Sequence, residues 1–115
     1  MVDRPFEIRP RDGAGTGQRI VGVAGRLGHE SVPEFLKAVR AETSPCLILD
    51  LSGVPSVDSS GVGALLQTYA ACQKAGRRLG LVGVSEHVLT VLKMCRVTHL
   101  FSQFPTVVEA EQQLG

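Results

Sequence analysis

The chain contains no tryptophan, one tyrosine and four phenylalanines. Single-stranded nucleic acid is held on stacked aromatic rings, and so thin a supply offers no such platform. Charge of one sign is lacking too. Twelve Lys and Arg against eleven Asp and Glu leave a formal net charge of +1, with the basic residues dispersed rather than gathered in a stripe. No nucleic-acid partner is expected. No apolar run approaches the roughly 20 residues that cross a bilayer. The opening "MVDRPFEIRPRDG" alternates charged with apolar side chains and lacks the apolar core of about 7–15 residues that a secretory signal needs. No membrane association is expected, and the cytoplasm is the expected compartment. Cys46, Cys72 and Cys95 lie far apart with no C-x-x-C pair, which argues against a zinc site or a redox dithiol. All three fall in apolar stretches and read as small buried thiols in a reducing compartment.

What is present is a regular alternation of strand and helix patterns. The 115 residues suffice for one domain, 1–115. "FEIR" (6–9) reads as a short strand and "RIVGVAG" (19–25) as a second, so the Gly-rich "RDGAGTGQ" (11–18) between them is a hairpin loop. "ESVPEFLKAVRAE" (30–42) reads as a helix, with Ser31 and Glu34 at capping-box spacing and Pro33 in the first turn. "CLILDL" (46–51) is a continuous apolar run suited to a strand covered on both faces. In 60–75, Val62, Leu65, Leu66, Tyr69 and Cys72 keep the helical period, and Gly76 is the stop. "LGLVGV" (79–84) is a further strand. "SEHVLTVLKMCRV" (85–97) is a helix that Ser85 could cap, with Val88, Leu89, Leu92 and Cys95 on its apolar face. "LFSQF" (100–104) and "PTVVEAEQQLG" (105–115) close the chain as strand and helix. The order ββαβαβαβα predicts an α/β domain, a mixed sheet with parallel inner strands and helices packed on it. The expected core is Val21, Val23, Leu36, Leu47, Ile48, Leu49, Leu65, Tyr69, Leu81, Val82, Leu92 and Leu100.

Enzyme chemistry finds little footing. "GAGTGQ" (13–18) is followed by a strand, whereas a dinucleotide fingerprint opens a helix. A Walker A loop is absent. Ser59 and Ser60 have no glycine two positions upstream, so no nucleophile elbow is formed. His29, His87 and His99 are scattered without metal-ligand spacing and read as surface or partly buried histidines. Asp50 and Asp58 could suggest acid–base work, but Asp50 directly follows the strand run and reads as an acceptor for loop backbone. No catalytic residue, cofactor or metal is expected.

The stretch "VDSSGVG" (57–63) stands where the buried strand hands over to the helix. Asp and Ser are good N-caps, each worth about 1 kcal/mol. One cap suffices, yet three polar residues follow one another. Gly61 and Gly63 also occupy a first turn that Ala would stabilise by up to about 1 kcal/mol each, which suggests close approach by another backbone or a partner. Such strand-to-helix corners gather ligands and partners in open α/β sheets. A phosphate added here would bring about −1.5 to −2 charges to a nearly neutral patch beside helix N–H groups. A partner that buries the patch would have to pair or desolvate that charge.

"CLILDLSGVPSVDSSGVGALLQTYAACQKAGRRLGLVGVSEHVLTVLKMCRVTHLF" resembles a STAS domain, the family of bacterial anti-sigma factor antagonists, and the likeness runs from about residue 5 to 113. D-S-S-G between strand and helix, followed by G-x-x-L-x-L-V-G, carries it. The resemblance implies a small ββαβαβαβα domain that is not an enzyme. It implies a partner, an anti-sigma factor of the serine-kinase type, whose capture frees a sigma factor. It implies that the kinase phosphorylates Ser59, that a serine phosphatase reverses this, and that Asp58, Ser60 and Gly61 shape the docking surface. One position departs: many antagonists carry G-x-L-D after the second strand, and "GRLG" here puts Gly28 where Asp is expected, altering the docking surface at that point. Two other readings stand beside this one. The chain could be a non-phosphorylated STAS subunit of a signalling or ABC-type lipid transport assembly. It could also be a small-molecule or nucleotide binder, or a weak hydrolase.

Overall fold

The computed structural model describes residues 5–115; the opening residues 1–4 of the expected domain lie outside the described part. The described residues form β1 (Glu7–Asp12), β2 (Gln18–Ala24), α1 (Val32–Arg40), β3 (Cys46–Gly53), α2 (Ser59–Ala75), β4 (Arg78–Val82), α3 (Glu86–Met94), a 3₁₀ turn (Thr98–Leu100), β5 (Ser102–Phe104) and α4 (Val107–Leu114). The expected ββαβαβαβα order holds. The strands lie in one sheet in the order β1-β2-β3-β4-β5. β1 and β2 form an antiparallel hairpin, and β2 to β5 run parallel.

Alternation along β3 explains the layers. Leu47, Leu49 and Leu51 face one side with Val21, Val23 and Leu81, where Phe35, Val39, Leu65, Val88 and Leu92 of α1, α2 and α3 cover them. Cys46 and Ile48 face the other side with Ile20 and Val82, where α4 supplies Ala110. A strand buried on both faces lacks the usual polar alternate positions, which is why 46–49 reads as a continuous apolar run before the half-buried Asp50. The Gly-rich loop is structural. Gln18 is buried, takes the Gly15 N–H on its Oε1 at 2.8 Å and donates Nε2 to the Glu111 carbonyl at 2.8 Å, so it ties the hairpin to α4.

Several expectations need correction. Leu36, Tyr69 and Leu100 are half-buried, because each borders a cavity. Cys95 is exposed: α3 ends at Met94, so the apolar stripe stops at Leu92. Cys46 and Cys72 are buried as expected, and burial pushes the Cys72 thiol up. Ser31 is not a side-chain cap. Its backbone is helical (φ −97°, ψ −14°) and its hydroxyl is used elsewhere.

Ser85 does cap α3, accepting from the Val88 N–H. The far end of that helix holds a strained residue. Arg96 has φ 58°, a left-handed backbone set by its N–H to Lys93 O and the Val97 N–H to Leu92 O. Gly76, at φ 68°, ends α2 in the same conformation with no Cβ to strain. Arg96 is exposed, so Arg96→Gly should lose no packing. It is expected to raise stability by about 0.5–1 kcal/mol, read as a higher midpoint in chemical denaturation; a lower midpoint would refute the strain.

Candidate functional site

The corner between β3 and α2 is built from two loops that continue the sheet pairing beyond the strands. The Gly25 N–H donates to Gly53 O at 2.8 Å. Leu27 N–H donates to Ser56 O at 3.1 Å, Asp58 N–H donates to Leu27 O at 3.3 Å, and Leu27 and Val57 form an isolated parallel bridge. Leu27, Val54 and Val57 are buried. This apolar footing holds the 25–31 loop against the start of α2.

Asp58 is the N-cap of α2, extended at φ −107°, ψ −173°. Its Oδ1 accepts from the Gly61 N–H at 2.9 Å and its Oδ2 from the His29 N–H at 3.0 Å. One carboxylate therefore caps the helix and braces the neighbouring loop. The loop is closed from its own side by Ser31, whose Oγ donates to Arg26 O at 2.7 Å and accepts from the Gly28 N–H at 3.0 Å. The His29 and Gly61 N–H groups, aided by the Arg26 charge, hold the Asp58 carboxyl below its ordinary value of 3.8. A carboxyl depressed in the folded state adds stability at pH above its unfolded value. That contribution is lost as pH falls through the folded value. Asp58→Asn keeps one acceptor oxygen for two donors. It is expected to cost about 1 kcal/mol near neutrality and to flatten the loss of stability below about pH 4. Denaturant midpoints measured across that range check this; an unchanged acid limb would exclude the brace.

With capping assigned to Asp58, the hydroxyls of Ser59 and Ser60 have no part in it. Ser59 is the first helical residue and is exposed, and Ser60 is half-buried. Gly61 and Gly28 are buried. A Cβ on Gly61 would stand 2.2 Å from Leu27 O, so the close approach it permits is made by the chain's own loop. A Cβ on Gly28 would stand 2.7 Å from Asp58 Oδ2. Asp58 thus occupies the space that a side chain at 28 would need. Gly63 has open space around it. Beside the corner lies a polar cleft of about 590 Å³ bordered by Arg26, Gly28, His29, Glu34 and Asp58.

The structure therefore brings together Asp58, Ser59, Ser60, Gly61 and Gly28. Asp50 stands apart within β3, accepting from the Ser52 N–H and Oγ of the same strand rather than from loop backbone. His29, His87 and His99 are exposed, and His29 joins the site through its backbone N–H rather than its imidazole. Sequence reasoning missed the parts played by Leu27, His29 and Ser31. Backbone groups carry no motif, and Ser31 carried a misleading one.

The family model described as STAS domain matches residues 6–110. Among solved structures, an anti-sigma factor antagonist from Mycobacterium paratuberculosis is 23% identical with a TM-score of 0.85, over 98% of both chains. A sulfate transporter family protein from Wolinella succinogenes is 26% identical with a TM-score of 0.77, over 87% of this chain and 86% of that one. The Bacillus cell fate determinant SpoIIAA in its phosphorylated form is 18% identical with a TM-score of 0.69, over 96% of this chain and all of the other.

Proposed function

We propose, on the premise that this chain belongs to the STAS domain family, that it is an anti-sigma factor antagonist switched by phosphorylation of Ser59. In this reading it is a binding module and not an enzyme. Its unmodified surface around Asp58, Ser59 and Ser60 captures an anti-sigma factor of the serine-kinase type, which releases a sigma factor. Phosphate on Ser59 ends the capture, and a serine phosphatase restores it. Its setting is the cytoplasm, without nucleic acid or membrane as a partner.

One observation carries the reading: Ser59 is exposed at the first position of α2 while Asp58 alone does the capping. Its hydroxyl is therefore spare. The underlying corner is fixed by the Leu27 and Asp58 hydrogen bonds, so a phosphate can change the surface without refolding the domain. The fold likeness to the Mycobacterium antagonist is in keeping with this.

Gly28 favours a second reading, a STAS subunit of a larger signalling or ABC-type lipid transport assembly in which Ser59 stays unmodified. The carboxylate expected at 28 is missing, and Asp58 fills its space. Affinity capture from the source cells with phosphosite mapping separates the two. The first reading expects a serine-kinase partner and phosphate at Ser59, with labelling by that kinase and ATP abolished in Ser59→Ala. A stoichiometric assembly with Ser59 unmodified in every growth state would replace it with the second.

A further inference from the structure

α2 has 17 residues and α1 only nine, so α1 flanks α2 over part of its length. Beyond Arg40 the chain turns toward β3, and Gln67, Ala71 and Ala75 of α2 are exposed. Small side chains set that wall back. The result is a groove of about 590 Å³, bordered by Leu36 and Val39 on one side and by Ala71 and Ala75 on the other, and predominantly apolar. It is distinct from the cleft at Asp58, and its volume falls in the range of small-molecule sites.

Arg77 borders this groove. Its Nε donates to Ser44 O at 2.6 Å, but its Nη2 is shut off from solvent and has no acceptor among the described residues. A buried donor on a charged group costs free energy that no acceptor among the described residues offsets. Glu42, the carboxylate that also borders the groove, is engaged by Arg19 at 2.8 Å. Arg40 at the rim donates its Nη2 to Gln67 Oε1 at 3.3 Å. The groove thus combines apolar walls with two cations that lack anionic partners among the described residues. Arg77 also borders a second cavity of about 250 Å³ beside Tyr69 and Phe101, which is smaller and more polar.

We propose that the α1–α2 groove binds a single-tailed carboxylate, a medium-chain fatty acid, with its head on Arg77 and its tail along Leu36, Val39, Ala71 and Ala75. Nη2 is closed off from solvent, so the guanidinium has to turn toward the groove for the carboxylate to reach it. The tail replaces water along the apolar walls, so neither half of the ligand suffices alone.

Sodium decanoate and 1-decanol, each below its aggregation limit, are the probes, followed by calorimetry and amide NMR on the full chain. Decanoate is expected to bind one to one, with shifts centred on Leu36, Ala71 and Arg77, and at least about tenfold more tightly than 1-decanol. Arg77→Met is expected to erase that preference. Because Arg77 also bonds Ser44, a second variant guards against misfolding: Ala71→Trp, at an exposed helical position, fills the groove and is expected to weaken decanoate binding at least about tenfold. Any of three outcomes overturns the proposal: no saturable binding at millimolar decanoate, equal affinity for 1-decanol, or undiminished binding by Ala71→Trp.

Discussion

Gly61→Ala is expected to destabilise the domain by about 3 kcal/mol, although the residue sits in the first turn of a helix. In an unencumbered helix the same change stabilises by up to about 1 kcal/mol. The sign reverses because the new Cβ would meet Leu27 O at 2.2 Å. That oxygen belongs to backbone, so no flexible end can swing aside. It also accepts the Asp58 N–H, while Leu27 N–H is bound to Ser56 O and the leucine side chain is fully buried. Relief requires the 25–31 loop to lift, which breaks the loop pairing and pulls His29 away from Asp58. Gly63→Ala is the control. Two residues further along α2, with open space around it, it is expected to stabilise by up to about 1 kcal/mol. Denaturant midpoints of the two variants should fall on opposite sides of the parent. A Gly61→Ala protein as stable as the parent would mean that the two loops do not pack as described.

The contrast between these glycines shows what the sequence makes legible. Both were visible as poor helix residues kept in a first turn, and a close approach was inferable. Which body approaches was not, since Leu27 lies 34 positions away and meets Gly61 first through its backbone carbonyl, a group no motif records. Elements with strong periodicity were read well. The 46–51 run, the 60–75 stripe and the Gly76 stop announce β3, α2 and a left-handed cap because burial and backbone conformation restrict the residue types there. Ser31 failed for the complementary reason. The S-x-x-E spacing states that a cap is possible, but the hydroxyl was needed to close the Gly28 turn, a competition that only tertiary contacts decide. Cys95 failed because a stripe can be extrapolated past the helix that carries it. What covers the sheet's second face was hidden too: Ile20, Ile48 and Val82 require a cover without saying that α4 supplies it. At the candidate site, D-S-S-G marked Asp58, Ser59 and Ser60, but the brace from Asp58 to His29 and the space it denies to a side chain at 28 emerged only in three dimensions.

Ser59→Asp is expected to weaken binding to the proposed anti-sigma partner by about 100-fold or more, while Ser59→Ala stays within about threefold of the parent. Burying a charge without a counter-ion costs several kcal/mol, and each 1.4 kcal/mol is tenfold in affinity. The carboxylate carries less charge than a phosphate, so the variant should fall short of the fully modified protein. Loss of fold is a poor alternative explanation. Residue 59 is exposed and begins α2, where a negative side chain interacts favourably with the helix dipole by about 0.3–1 kcal/mol. Asp58 next to it offsets part of that gain through like-charge repulsion. Stability of Ser59→Asp should therefore lie within about 0.5 kcal/mol of the parent. This separation of affinity from stability distinguishes an electrostatic switch from a structural serine. If the serine were only part of the helix start, both substitutions would leave binding alone. If the corner had to refold on modification, stability would fall together with affinity. Raised salt tests the same mechanism, because screening acts on exposed charges and much less on buried ones. A defect of Ser59→Asp that persists in high salt identifies desolvation at the buried patch as its cause. One that salt abolishes points to long-range repulsion between surfaces, and a Ser59→Asp protein that binds as tightly as the parent ends the case for a switch at this residue.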